Sequence, residues 1–117
     1  MDLFDLIGNI RKRPVMYLGE LSIGKLRTFL AGYSFARRQM KIPPTQQEKL
    51  FSTFQLWIEQ RFGMSSPQHW DRIIFEFSEN EEDAIRQFFT LFDEFIGSQN
   101  GTMSAQTTPE REAVKAD

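Results

Sequence analysis

Residues 78–97 read SENEEDAIRQFFTLFDEFIG and predict an amphipathic helix with two marked ends. Ser78 and Glu81 have the spacing of a capping box, in which a hydroxyl and a carboxylate bond the free N–H groups of the first turn. Gly97 is typical of a helix stop. The apolar side chains between these ends recur at helical spacing and are Ala84, Ile85, Phe88, Phe89, Phe92, Phe95 and Ile96. Such a stripe must be buried against other elements.

Two further helices are predicted in the first 40 residues. One spans 2–13, with Asp2 as its cap and a proline directly after it. Residues 15–19 read as an extended connector. The next helix spans 22–40, with Ser22 as its cap and Pro-Pro shortly beyond its end.

The middle of the chain carries two more start signals. Thr45 and Glu48 form a second capping box, which opens a helix through Phe62 with Gly63 as its left-handed stop. Ser66-Pro67 opens the segment after it. Within that segment, residues 72–77 have two readings. The run Ile73-Ile74-Phe75 has high strand propensity, whereas the spacing of Trp70, Ile73, Ile74 and Phe77 favours a helix.

Together these elements predict an all-α protein, a single-domain antiparallel bundle of about five helices over residues 1–97. Its core is rich in aromatic rings, since the 117-residue chain has 12 Phe, 2 Trp and 2 Tyr. Residues 98–117 contain almost no apolar side chains, and we expect them to form a disordered tail.

The composition of the chain limits the cellular compartments and the kinds of site that we expect. The chain has no cysteine, which excludes disulfides and thiolate metal sites. No apolar run approaches the roughly 20 residues that cross a bilayer. The amino terminus begins acidic and becomes basic, which is the reverse of a secretory signal peptide. We therefore expect a cytoplasmic protein without a membrane partner.

Charge is distributed unevenly along the chain. Residues 1–41 carry eight Lys/Arg and three acids, whereas residues 42–97 carry ten acids and four Lys/Arg. The two halves either pair internally or offer an acidic surface to a basic partner. A nucleic-acid partner is disfavoured, since the net charge is −2 and both basic clusters fall at predicted helix carboxyl ends.

A catalytic constellation is not predicted. His69 is the only histidine, and with no cysteine the chain cannot build a usual zinc site. His69 follows a helix start and reads as a surface or cap residue. No nucleophile has a plausible base, so we expect no catalytic, metal or cofactor site and no enzyme activity.

The segment IRKRPVMYLG (residues 10–19) resembles the "RKRPxMYxG" segment near the start of the ATPase domain of gyrase B-type topoisomerases. In that family the following helix supplies a Glu and an Asn to nucleotide binding. Residues 25–34 here contain neither, and the later glycine-rich motifs are missing. We interpret the match as coincidental and carry over no ATPase residue.

A longer pattern resembles the helical immunity proteins encoded beside bacterial polymorphic toxins of contact-dependent and type VI secretion (Rhs-type) systems. It spans about residues 7–95 and includes IRKRPVMYLG (10–19), LRTFLAGYSFA (26–36), FSTFQLWIEQRF (51–62), WDRII (70–74) and FFTLFDEF (88–95). The resemblance implies an inhibitor that binds the toxin's carboxyl-terminal domain and covers its active or substrate-binding site. A helical adaptor or regulatory domain is the alternative, and a nucleic-acid-associated protein a weaker one.

The expected partner-binding residues are an acidic cluster with a tryptophan anchor, Trp57 or Trp70, if either is exposed. The cluster consists of Glu76, Glu79, Glu81, Glu82 and Asp83. Each has a simpler interpretation, since acids favour a helix amino terminus and both tryptophans fall on apolar stripes. An exposed Phe35, Phe75 or Phe89 would instead offer a homodimer seam.

Overall fold

The computed structural model describes residues 1–65 and 67–107, with side chains described as far as residue 99. These ranges form seven helices and no β-strand, which confirms the all-α prediction. The helices are α1 (Leu3–Lys12), α2 (Pro14–Leu18), α3 (Ile23–Gln39), α4 (Gln46–Phe51), α5 (Phe54–Arg61), α6 (Trp70–Glu76) and α7 (Glu81–Thr107).

One hydrophobic cluster joins buried side chains from six of these helices, and α4 packs Leu50 and Phe51 against it. Phe54 lies at its centre and is fully buried. Its ring contacts five others at centroid distances of 5.1–6.0 Å, those of Phe51, Trp57, Trp70, Phe88 and Phe95. A single shared core of this kind joins the seven described helices in one domain.

The prediction of an extended connector over residues 15–19 is wrong, because Pro14–Leu18 form a short helix. Pro14 ends α1 and also begins α2, since its fixed φ suits the first helical position and its missing N–H is not needed there. Gly19 then ends α2 with a φ of 85°. The β-branched and aromatic residues Val15 and Tyr17 suggested extension, but the proline geometry dominates.

The helix predicted from Thr45 to Phe62 is divided at Ser52 and Thr53. Their hydroxyls donate to the carbonyls of Lys49 and Leu50, respectively. Hydroxyls that bond the preceding turn compete with the helical ladder and favour a break. Both ends are as predicted: Thr45 and Glu48 form the capping box, and Gly63 has a left-handed φ of 67°.

The ambiguous segment 72–77 is helical through Glu76, which confirms the helix interpretation. The helix begins at Trp70, with His69 at the cap position. The predicted start at Ser66-Pro67 is therefore too early; Ser66 itself lies outside the described residues. The segment before the helix is tied to α5, since the Gln55 amide donates to the Gln68 carbonyl at 2.9 Å.

Helix α7 begins and ends later than predicted. Its cap is Asn80, whose side chain accepts from the Asp83 N–H at 2.8 Å, so the predicted Ser78–Glu81 box is wrong. The predicted stop at Gly97 is also wrong, because the helix continues to Thr107. A helical glycine costs only about 1 kcal/mol relative to alanine. The predicted tail over 98–117 thus starts in helix, and residues 108–117 lie outside the described residues.

The two halves of opposite charge pair with each other. Arg11 meets Asp93 at 3.0 Å, Arg27 meets Asp71 at 2.9 Å, and Arg37 pairs with Glu48. The last two pairs hold α3 against the α4–α6 segment. Arg37 lies beside α4 through its pair with Glu48, and Arg27 and Gln55 of α5 line the same groove. Internal pairing thus accounts for part of the charge asymmetry.

Candidate protein-docking surface

The amino ends of α3 and α7 lie side by side. The Ile23 N–H, in the first turn of α3, donates to Glu81 Oε1 of α7 at 2.9 Å. Free N–H groups at a helix amino terminus need such acceptors. Glu81 is half-buried and therefore serves the fold, so of the five predicted acidic contact residues it is not freely available to a partner.

The turn between α6 and α7 carries an exposed aromatic ring among exposed acids. Phe77 is 51% exposed and stacks on Phe62 at a centroid distance of 4.7 Å. Glu76, Glu79 and Glu82 are exposed beside it in sequence. We call Glu76, Phe77, Glu79 and Glu82 the acidic corner. The helical spacing that included Phe77 with Trp70, Ile73 and Ile74 does not extend to it, because Phe77 is the cap residue just beyond the helix end.

Asp83 holds the acidic corner in shape. Its carboxylate accepts from the Glu79 N–H at 3.0 Å and from the Gln87 amide at 3.0 Å. The Glu79 N–H, and then the Gln87 amide, lower the pKa of Asp83 below its ordinary value. Asp83 also meets Arg86 at 3.2 Å. Like Glu81, it is a structural member of the predicted set, which leaves Glu76, Glu79 and Glu82 as the exposed acids.

Neither tryptophan is the exposed anchor. Trp70 is 7% exposed and stacks on Phe88, with a centroid distance of 5.0 Å. Trp57 is half-buried, stacked on Phe54 at 6.0 Å and edge-on to Phe95 at 5.6 Å. Trp70 is therefore a core residue, as its apolar stripe indicated, and Phe77 is the aromatic side chain that the sequence reasoning missed. No local signal in the sequence singled it out, because its spacing from Trp70 placed it on the stripe of α6.

The three candidate seam phenylalanines have different environments. Phe89 is buried, Phe75 is half-buried, and Phe35 is 56% exposed near the carboxyl end of α3. Arg38 lies over the Phe35 ring at 5.9 Å. Only Phe35 of the three is open to a partner, and it lies at the opposite end of α3 from the acidic corner.

His69 is exposed at the amino end of α6. It lines a groove of about 250 Å³ together with Arg27, Gln55 and Trp70. Within the described part of the chain, no group of three or more His, Asp or Glu side chains is placed to hold a metal ion. No helix in that part combines the length and apolar character needed to cross a membrane.

Comparison of the chain with family models, with curated proteins and with solved structures finds no match.

Proposed function

We propose that the chain is an immunity protein, which binds and neutralises an antibacterial toxin in the cytoplasm by covering its active or substrate-binding site. The acidic corner is the contact surface in this proposal. The observation that carries it is the half-exposed ring of Phe77, which is followed and preceded within five residues by the exposed side chains of Glu76, Glu79 and Glu82.

The chemistry of this surface suits a basic partner. A large aromatic side chain buried at the centre of an interface supplies much of the binding free energy. Carboxylates around it accelerate association with a positively charged protein and disfavour partners of the wrong charge. Toxins that act on nucleic acids or nucleotides commonly carry a basic substrate site, and an acidic corner would compete with the substrate for it.

The acidic corner is also held in place before any partner arrives. Phe62 supports the Phe77 ring from below, and Asp83 fixes the Glu79 backbone. Glu81 ties the start of α7 to α3. A preformed surface loses little conformational entropy on binding, which favours the tight complex that stoichiometric inhibition requires.

The proposal requires a gene for a large secreted toxin beside the gene for this chain. Expression of that toxin's carboxyl-terminal domain should arrest growth of a bacterial host, and co-expression of this chain should restore growth. The two proteins should then elute together from a sizing column. Continued arrest with no complex would reject the proposal.

Two matched variants test the contact surface. Phe77→Ala combined with Glu79→Lys should abolish protection, whereas Leu56→Ala should not. Leu56 is a suitable control because it is 57% exposed on α5, outside the acidic corner. Circular dichroism and melting temperature should show that both variants remain folded. If the variant with Phe77→Ala and Glu79→Lys still protects the host, the toxin contacts a surface other than the acidic corner.

An adaptor that joins two partners is the second candidate. The observation that favours it is the exposed Phe35 at the other end of α3, beside Arg38.

A further inference from the structure

The carboxyl end of α3 exposes a second apolar surface. Phe35, Met40 and Ile42 are all exposed there, although each is a large hydrophobic side chain. Arg38 and Lys41 are exposed between them. We call Phe35, Arg38, Met40, Lys41 and Ile42 the basic end. Three large exposed apolar side chains within eight residues of sequence mark this helix end as a candidate interaction site.

The backbone fixes the arrangement of the basic end. The Lys41 N–H donates to the Arg38 carbonyl and the Ile42 N–H donates to the Arg37 carbonyl, both at 3.0 Å. These are the two hydrogen bonds of a Schellman motif. Lys41 takes a φ of 62°, which lysine seldom adopts, to close it. The exposed side chains are therefore presented by an ordered helix end.

A groove lies directly beside the basic end, between α3 and α4. Its volume is about 370 Å³. Leu3, Ile42, Pro44 and Phe51 give it an apolar lining, and Arg38 and Lys49 also line it. The groove is large enough to take one large apolar side chain of a partner, with two cations next to it.

The available charge at this groove is positive. Arg38, Lys41 and Lys49 are exposed, whereas the Glu48 side chain is only 10% exposed and pairs with Arg37. The nearby Asp2 carboxylate accepts a hydrogen bond from the Thr45 hydroxyl at 2.8 Å. Among the described residues that face the groove, the carboxylates are thus used within the fold and the free charges are cationic.

We propose that the basic end is a second docking surface, which binds an acidic segment of a partner protein whose large apolar side chain enters the groove. Charge complementarity selects the acidic partner. Met40 and Ile42 favour a protein partner over a nucleic acid, because aliphatic side chains form no hydrogen bond or ion pair with phosphate groups. An isologous homodimer seam at Phe35 would oppose Arg38 and Lys41 with their own copies, which is unfavourable.

The two surfaces are far enough apart to act independently. Helix α3 has 17 residues and separates them. At 1.5 Å per residue this amounts to about 25 Å. Occupation of the acidic corner therefore leaves the basic end free, and failure of one proposal leaves the other standing.

A labelled peptide of Glu, Asp and Leu residues tests the inference by fluorescence anisotropy. It should bind the intact chain, with an affinity that falls as salt is raised. Phe35→Ser with Met40→Ser, and separately Arg38→Glu with Lys41→Glu, should each weaken binding on the order of tenfold. In amide NMR spectra the peptide should shift residues 35–42 and leave 76–82 unchanged.

The matched control is Lys12→Glu with Arg13→Glu, the same charge change at the exposed end of α1. This control should bind the peptide as the unaltered chain does. An equal loss in the control, equal binding of a leucine-free peptide, or no binding at all would overturn the inference. Tighter binding of a single-stranded oligonucleotide would assign the surface to nucleic acid. Salt-sensitive self-association that Phe77→Ala abolishes would assign it to a second copy of the chain.

Discussion

Lys41 and Gly63 occupy equivalent positions in two helix ends. Each follows the cap residue, at the ends of α3 and α5, and each has a left-handed φ, of 62° and 67°. In both motifs the next N–H closes the turn, from Ile42 to the Arg37 carbonyl and from Met64 to the Glu59 carbonyl. Glycine adopts this conformation freely, whereas a residue with a Cβ is strained in it.

Substitutions at these two positions should change stability in opposite directions. Lys41→Gly relieves the strain and should raise the free energy of unfolding by about 0.5–1 kcal/mol. Gly63→Ala introduces the strain and should lower it by about 1 kcal/mol. Urea denaturation of both variants measures the two changes. Destabilisation by Lys41→Gly would contradict the left-handed geometry.

Gly97 provides a separate test of helix α7. It is exposed, a Cβ added to it would meet nothing within 4 Å, and the helix continues on both sides. Gly97→Ala should therefore raise the free energy of unfolding by about 0.5–1 kcal/mol. Had the helix stopped at Gly97 in a left-handed turn, the same substitution would destabilise the protein. The sign alone distinguishes the two structures.

Most helix starts were predictable, because an amino-terminal cap is a local signal. Asp2, Ser22 and Thr45 each cap as their sequence spacing indicates. The break at Ser52 depends on which backbone carbonyls accept the hydrogen bonds of the Ser52 and Thr53 hydroxyls. The start of α7 depends on whether Ser78 or Asn80 caps the helix. Local spacing does not determine either choice, so these boundaries required the structure.

The candidate site was predictable only in part. The acidic cluster was found by its charge, but which acids face solvent depends on tertiary contacts such as the Glu81–Ile23 hydrogen bond. The aromatic anchor was missed for a similar reason. Apolar spacing placed Phe77 on the stripe of α6, whereas the helix ends one residue before it.

The Arg27–Asp71 ion pair should contribute unequally through its two members. The Asp71 side chain is 6% exposed and that of Arg27 is 29% exposed. Arg27→Ala leaves a buried carboxylate unpaired and should cost about 3 kcal/mol. Asp71→Ala leaves a guanidinium that can reach water and should cost about 1–2 kcal/mol. Denaturant titration of both variants checks the order.

A double variant and a surface control complete that comparison. Arg27→Met with Asp71→Leu should recover much of the lost stability, because no charge is left unpaired. Arg86→Ala, which removes ion pairs of an exposed guanidinium with Glu82 and Asp83, should change stability by less than about 1 kcal/mol. A larger loss for Asp71→Ala than for Arg27→Ala would indicate that the carboxylate is not the costly buried group.

The hydrogen-bonded carboxylate of Asp83 should make stability depend on acid pH. The Glu79 N–H and the Gln87 amide lower the pKa of Asp83 from its ordinary value of 3.8. A carboxyl whose pKa is lower in the folded state stabilises the fold above its unfolded value and loses this contribution as pH falls through the folded pKa. Stability should therefore fall below about pH 4, and Asp83→Asn should flatten this decline.

Asn80→Ala is the matched control for the loss of stability at acid pH. It removes the neighbouring cap hydrogen bond to the Asp83 N–H but no titratable group. It should lower the denaturation midpoint by a similar amount at every pH. If the stability of Asp83→Asn falls as steeply at acid pH as that of the unaltered chain, the Asp83 carboxylate is not the group responsible for the decline.

The most direct test of the acidic corner is the affinity of the purified toxin domain for three forms of the chain, measured by isothermal titration calorimetry. The intact chain and Leu56→Ala should bind alike. Phe77→Ala should raise Kd at least about tenfold, which corresponds to about 1.4 kcal/mol. Equal affinities for Phe77→Ala and Leu56→Ala would contradict the assignment of Phe77 as the anchor.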